Sequence, residues 1–294
     1  MTKGVKVFWG IVALAIIIIV VALVRTPASG PSTADTGASS GTISVGAVVP
    51  LTGDGASYGV PIRRAGELAV EEINAAGGIA GKQVSVVWED GKCEGKEATS
   101  AAQKLINVDQ VKVIMGGVCS SETLAMAPLA ETAKVLVVSP SATSPDITAA
   151  GDFIFRTSPS DAAAGSVAAE YAYSKMGAKK AAVISQTTDY AQGLRKVFTT
   201  RFKALGGEVV ADETYNAGDT DMRTQILKVK TGAPDVIYLL PQADVSGILI
   251  LKQLKANGVT AKLLSAEAMI GRNTVAQNLF SGKNPATTIL LKIR

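Results

Sequence analysis

From Ile43 onward, short runs rich in Val, Ile and Ala alternate with longer amphipathic stretches, and that alternation constrains the fold more than any other feature of the chain. Strands are predicted over residues 43–50, 84–88, 111–115, 135–138 and 153–156, with helices over 61–76, 96–107 and 122–134 between them. In the first helix Ala65, Leu68, Ala69, Ile73 and Ala76 share a face, while Arg63, Arg64, Glu67 and Glu71 lie largely off it. Gly77-Gly78 ends that helix, because glycine takes the left-handed C-terminal conformation without a Cβ clash. Near-continuous apolar strands separated by helices imply a parallel sheet covered on both faces.

The same grammar restarts after Arg156, with helices over 162–176, 191–205 and 245–256 and strands over 181–185, from Val209 and over 235–240. Gly206-Gly207 stops the second of these helices as Gly77-Gly78 stops the first one of the chain. The expectation is two α/β lobes of similar plan, 43–158 and 159–284, although no residue-level repeat links them. Lobes of this kind place ligands at the carboxyl ends of their parallel strands.

Ahead of the lobes, Val7 to Val24 carries no charge and no proline, with Lys3 and Lys6 before it and Arg25 after it. Positive charge on that side predicts a cytoplasmic N-terminus and an exported remainder, in the periplasm or at the cell surface. The run lies within the range of a spanning helix, about 17–25 residues, and exceeds the usual signal core of roughly 7–15. No clean Ala-x-Ala site follows, nor a cysteine for lipid attachment. Residues 1–25 therefore read as a membrane anchor, with a cleaved signal sequence as the alternative. Residues 26–42, rich in Ser, Thr, Gly, Ala and Pro, read as a flexible linker.

The chain has no histidine and only two cysteines. That removes the commonest general base and metal ligand and rules out a four-thiolate zinc site, so no metal and no cofactor are expected, and binding is favoured over catalysis. The net charge of +4, from 29 basic and 25 acidic residues, is spread without a basic block, which argues against a nucleic-acid partner. Three dehydrogenase-like motifs are weak, and an NAD(P)-dependent short-chain dehydrogenase is only a remote alternative; one of them, Asn216-Ala217-Gly218, comes after the Tyr-x-x-x-Lys pattern rather than before it. The glycines of Thr52 to Gly59 lack the G-x-G-x-x-G spacing, and Glu89-Asp90 lies beyond the offset of a ribose-binding acid. Tyr171 and Lys175 match a Tyr-x-x-x-Lys pattern that more plainly decorates a helix.

Cys93 and Cys119 each follow a predicted strand, at what can be neighbouring strand ends. In an exported protein they are either a disulfide, contributing about 3 kcal/mol in the chain-entropy model, or two separate buried thiols. Ser120-Ser121 opens the next helix, as a plain N-cap or as a carboxylate site at the helix N-terminus. Residues 139–145 add hydroxyls at the same sheet edge, so a polar cleft wall is expected there.

Several segments together carry a resemblance: Leu51 to Gly59, Ile73 to Gly81, Gly116 to Thr123, Ser139 to Pro145, Phe155-Arg156-Thr157 and Asp189 to Leu194. From about Ile43 to about Phe280 the chain resembles the type I periplasmic substrate-binding proteins of ABC transporters, in the leucine/isoleucine/valine-binding group. The resemblance implies two doubly wound parallel-sheet lobes around a hinged cleft, a non-enzymatic receptor for an α-amino acid, and an ABC permease as partner. It makes Cys93–Cys119 a family disulfide. It suggests that Ser120 and Thr143 hold the ligand carboxylate, that Ser141 offers a carbonyl to the ammonium, and that Glu267 pairs with that ammonium. Tyr58 and Tyr190 are implied to pack on the ligand. A sensor for an amide or an aromatic acid is the alternative.

Two departures stand out. A tyrosine common in the family's second-lobe wall is replaced at Pro241-Gln242, which bears on branched-chain specificity. Residues 285–294 diverge near the place where the family's chain returns to the first lobe, so a truncated or frameshifted product with an incomplete first lobe is expected.

Overall fold

In the computed structural model of the protein, residues 41–269 and the backbone of 288–290 are described. The first lobe contains β1 (Thr42–Val49), α1 (Ala56–Ala75), β2 (Gln83–Asp90), α2 (Gly95–Asn107), β3 (Val113–Gly116), α3 (Ser120–Ala133), β4 (Leu136–Ser139) and β5 (Ile154–Arg156). Its sheet runs β2-β1-β3-β4-β5, and all neighbours are parallel. The second lobe contains α4 (Asp161–Glu170), β6 (Lys180–Gln186), α5 (Asp189–Ala204), β7 (Glu208–Tyr215), α6 (Arg223–Gly232), β8 (Val236–Leu240), α7 (Asp244–Ala256), β9 (Lys262–Ser265) and β10 (Thr288–Leu290). Its parallel order is β10-β9-β8-β6-β7. Both lobes are doubly wound α/β, as the alternation predicts. The edge strand β10 belongs to the second sheet and extends it past residue 284.

The second sheet is sealed on both faces. Phe198 stacks on Phe202 at 5.5 Å and packs on Tyr238 at 4.4 Å on one side, while Tyr215, Met222, Ile226 and Ile237 fill the other. In the first lobe α2 and α3 close one face over Leu105, Ile114 and Met126. The outer helix departs from expectation. The face of α1 assigned to the core lies open, with Leu68 56% and Ile73 37% exposed. Helix α1 meets the sheet through Gly66 instead, where a Cβ would stand 2.9 Å from the Trp88 ring. Amphipathic periodicity names an apolar face but not whether an element is there to cover it.

Helix α6 was not anticipated, because only Ile226 and Val229 of it are buried and its apolar signal is correspondingly weak. The helix expected over 162–176 leaves α geometry after Glu170 and closes with a π-helical turn, Tyr171–Lys175. The predicted anchor 1–25, all but the end of the linker 26–42, and residues 270–287 and 291–294 lie outside the described residues. Among the described residues, no helix is long and apolar enough to cross a membrane.

Candidate functional site

The first sheet's order reverses between β1 and β3, and the second's between β6 and β8. At such a switch point the loops leaving the strands' carboxyl ends diverge and open a crevice. The two switch points supply one cavity. Tyr58 follows β1, Ser120 follows β3, Tyr190 follows β6 and Gln242 follows β8, and all four line a cavity of about 80 Å3 together with Ser141, Thr143 and Glu267. A larger chamber of about 270 Å3 shares Ser141, Thr143 and Glu267 with it and adds Asp161, Ala164 and Tyr238. All six residues singled out from the sequence thus converge.

In the first-lobe wall, the Cys93–Cys119 disulfide is present, with Cα atoms 5.3 Å apart, and joins the loops after β2 and β3. The N-cap of α3 is Cys119, so Ser120 is the first residue inside the helix rather than its cap. The Ser120 Oγ accepts the Ser144 N–H at 3.1 Å, which leaves its own proton for the cavity. Ser139, not singled out from the sequence, donates to the Gly117 carbonyl at 2.6 Å and accepts the Ala142 N–H at 2.9 Å, tying the β3 and β4 loops together.

The Thr143 side chain is engaged within the protein. Its hydroxyl donates to Asp161 Oδ2 at 2.6 Å, so the lone pairs of that oxygen, not its proton, remain for a ligand. Burial pushes the Asp161 carboxyl up to about 7 despite the Thr143 hydrogen bond. Sequence reasoning missed Asp161 because Ser160-Asp161 reads as helix capping, and Ser160 does cap α4 through the Ala162 N–H at 3.3 Å.

In the second-lobe wall, Tyr190 is 5% exposed, and its hydroxyl has no hydrogen-bond partner among the described residues. Burial, then the charges of Glu267 and Asp161, hold that phenol well above its usual range. Glu267 opens the short turn Glu267–Met269 directly after β9 and lines both chambers. No Lys or Arg lines either chamber among the described residues. The lobes touch across the cleft: Tyr58 Oη donates to the Ala268 carbonyl at 3.4 Å, and the Asp189 N–H donates to Ser121 Oγ at 3.2 Å. Burial, then Asp244 and Glu267, push Tyr58 up to about 12. The Gln242 N–H donates to Gln186 Oε1 at 2.9 Å, and its side-chain amide lies 4.0 Å from Cys119 Sγ.

The dehydrogenase-like residues serve structure. Tyr171 packs against the second-lobe core, and Gly59 lies so close to the Pro50 carbonyl that a Cβ would stand 1.9 Å from it. Asp90 is a loop staple, accepting from Leu51 N at 2.8 Å, Lys92 N at 3.0 Å and Thr52 Oγ1 at 2.6 Å. Among the described residues, no group of three His, Cys, Asp or Glu side chains could hold a metal ion.

The family model described as "Periplasmic binding protein" matches residues 42–279. The chain is 36% identical to the leucine-, isoleucine-, valine-, threonine- and alanine-binding protein of Pseudomonas aeruginosa over 78% of its own length and 61% of that protein's. Among solved structures it resembles the Streptococcus pneumoniae branched-chain amino acid substrate-binding protein LivJ, determined with isoleucine, at 35% identity and a TM-score of 0.68, covering 77% of this chain and 64% of that one. It also resembles a Rhodopseudomonas palustris solute-binding protein determined with benzoate, at 26% identity and a TM-score of 0.73, covering 82% and 67%. The chain spans about three fifths of the length of the first curated relatives it matches. On the family match and these likenesses, the chain belongs to the periplasmic binding protein family.

Proposed function

We propose that the protein is an extracytoplasmic receptor of an ABC importer that captures an α-amino acid, branched-chain in the first instance, by closure of its two lobes. The observation that carries this reading is the Tyr190 hydroxyl, buried beside the Glu267 carboxylate and without a well-formed hydrogen bond among the described residues, against the cavity that Ser120 and Glu267 also line. A buried donor left unmade costs about 1–3 kcal/mol, so the cavity is shaped for a polar guest. The free proton of Ser120 and the N-terminus of α3 favour an anion. Glu267, Asp161 and the acceptor oxygen of Thr143 favour a cation.

A zwitterion satisfies both ends, with its carboxylate at Ser120 and its ammonium between Thr143 and Glu267. The side chain then enters the larger chamber, walled by Ala163, Ala164, Ala168 and Tyr238. Only the closed state engages Ser120 and Glu267 together, so the ligand selects it. The relatives are named for binding, not for a reaction, which supports a receptor over an enzyme. In this reading residues 1–25 tether the receptor at the membrane beside its permease.

A thermal-shift panel of L-leucine, L-isoleucine, L-valine, L-threonine and benzoate tests the proposal. A ligand that binds only the folded state raises Tm with concentration. A rise with the amino acids is expected. Benzoate has no ammonium to meet Glu267, so a rise with benzoate alone overturns the amino-acid reading in favour of an aromatic-acid receptor.

A further inference from the structure

Glu122 lines neither chamber. Its side chain is fully buried. One carboxylate oxygen accepts the Cys93 N–H at 3.0 Å, and the other accepts the Cys119 N–H at 2.9 Å. One carboxylate therefore ties the same two loops that the disulfide joins. The backbone around it is pared down: a Cβ on Gly91 would stand 2.2 Å from Glu122 Oε1, and one on Gly117 2.2 Å from Glu122 Cβ. A buried carboxylate facing no cation is expensive, and this one also closes the capping box of α3 by accepting the N–H of its N-cap, Cys119. Glu122 also occupies the first turn of α3, two residues from Ser120. A ligand carboxylate at Ser120 would share one helix N-terminus with it, and two anions in a poorly solvated site raise each other's proton affinity.

We propose that Glu122 is a positioning residue of the anion cradle, and that it takes up a proton when a carboxylate docks at Ser120. The coupling rests on the receptor reading of the cavity. Burial pushes Glu122 up to about 7, opposed by the hydrogen bonds from Cys119 and Cys93 and assisted by the Asp90 charge, so the proton is within reach near neutral pH. Of the surrounding charges, Asp90 comes from the end of β2, and the Lys92 ammonium is turned to Glu97 at 3.9 Å. The neighbours from β1 and the β3 loop, Val48 and Gly117, carry no titratable group. Across the cavity burial pushes the Asp161 carboxyl up to about 7 as well. An ammonium beside it drives a proton off, the opposite sign, so the informative quantity is the difference between wild type and Glu122→Gln.

The test uses the full chain with δ-13C-labelled glutamate. In the ligand-free protein, a glutamate resonance titrating near neutral pH and missing from Glu122→Gln is expected; titration of that resonance in the ordinary carboxylate range overturns the proposal. Calorimetry with L-leucine and with benzoate, in phosphate and in Tris, then counts protons. Wild type should take up more protons per ligand than Glu122→Gln, and its affinity should gain roughly fivefold more than the variant's between pH 8 and pH 6, for a one-unit rise on binding. Equal proton counts overturn the coupling. Should Glu122→Gln not fold, Gly91→Ala displaces the carboxylate from Cys93 instead; losing that hydrogen bond raises its proton affinity further, so the ligand-free titration should move upward and uptake at neutral pH should fall, and an unmoved titration overturns the proposal. Silence of both probes overturns the receptor reading and the coupling with it, while the ligand-free titration still judges the buried carboxylate alone.

Discussion

At the scale of single residues, Glu267 and the pair Thr143–Asp161 bring the polar groups to the cavity walls on which the proposed ligand depends. Glu267→Gln keeps the shape and removes the charge. If the carboxylate meets the ammonium, a charge-assisted contact of about 1.5–3 kcal/mol is weakened, and affinity for an α-amino acid falls about 10- to 150-fold by calorimetry. Unchanged affinity would remove Glu267 from the site. The buried carboxyls also predict a pH dependence. Glu122 and Asp161 both bind protons more tightly when folded, with values pushed to about 7. Their contribution to stability is present at low pH and lost as pH rises from about 4.5 through about 7. Unfolding midpoints in urea should fall across that window, and the double variant Glu122→Gln, Asp161→Asn should flatten the decline. All six cleft residues follow strands; Tyr58, Ser120, Ser141, Thr143 and Tyr190 were legible because they also lie in the segments that carry the resemblance, whereas Glu267 lies outside those segments and was placed only by the resemblance as a whole. Asp161 and Glu122 were not, because capping explains an acid at a helix start equally well, and only the fold shows that these two are buried.

At the scale of elements, the disulfide and the outer helix carry opposite lessons. Cys93 and Cys119 were legible because both follow strands, and strands at one sheet edge bring their carboxyl ends together. Exported protein alkylated without reduction should show no free thiol by mass spectrometry, and replacing both cysteines with serine should lower unfolding free energy by about 3 kcal/mol. Helix α1 was legible as a helix but not in its burial. Leu68 and Ile73 are already exposed, so Leu68→Lys with Ile73→Lys should leave stability within about 0.5 kcal/mol. A large loss of stability would show instead that this face is covered in solution.

At the scale of the whole molecule, the lobes meet through Tyr58 to Ala268 and Ser121 to Asp189 among other contacts of the described residues, and hinged closure would make and break these. A ligand bridging Ser120 and Glu267 should shift the population toward the closed form, and small-angle scattering should show a smaller radius of gyration on saturation with L-leucine. No change with a ligand that raises Tm would mean that the cleft is already closed when empty. The alternation of apolar runs and amphipathic helices determined, by itself, two doubly wound parallel lobes and the sheet edge at which a ligand would sit, since strand and helix periods are local properties of the chain. The tertiary structure alone decided that α1 turns its apolar face outward, that the Thr143 hydroxyl spends its proton on Asp161, and that the Tyr190 hydroxyl is buried without a hydrogen-bond partner among the described residues. Those facts depend on which groups from distant parts of the chain arrive at the same place, and burial, hydrogen-bond satisfaction and proton affinity are properties of that meeting rather than of any segment.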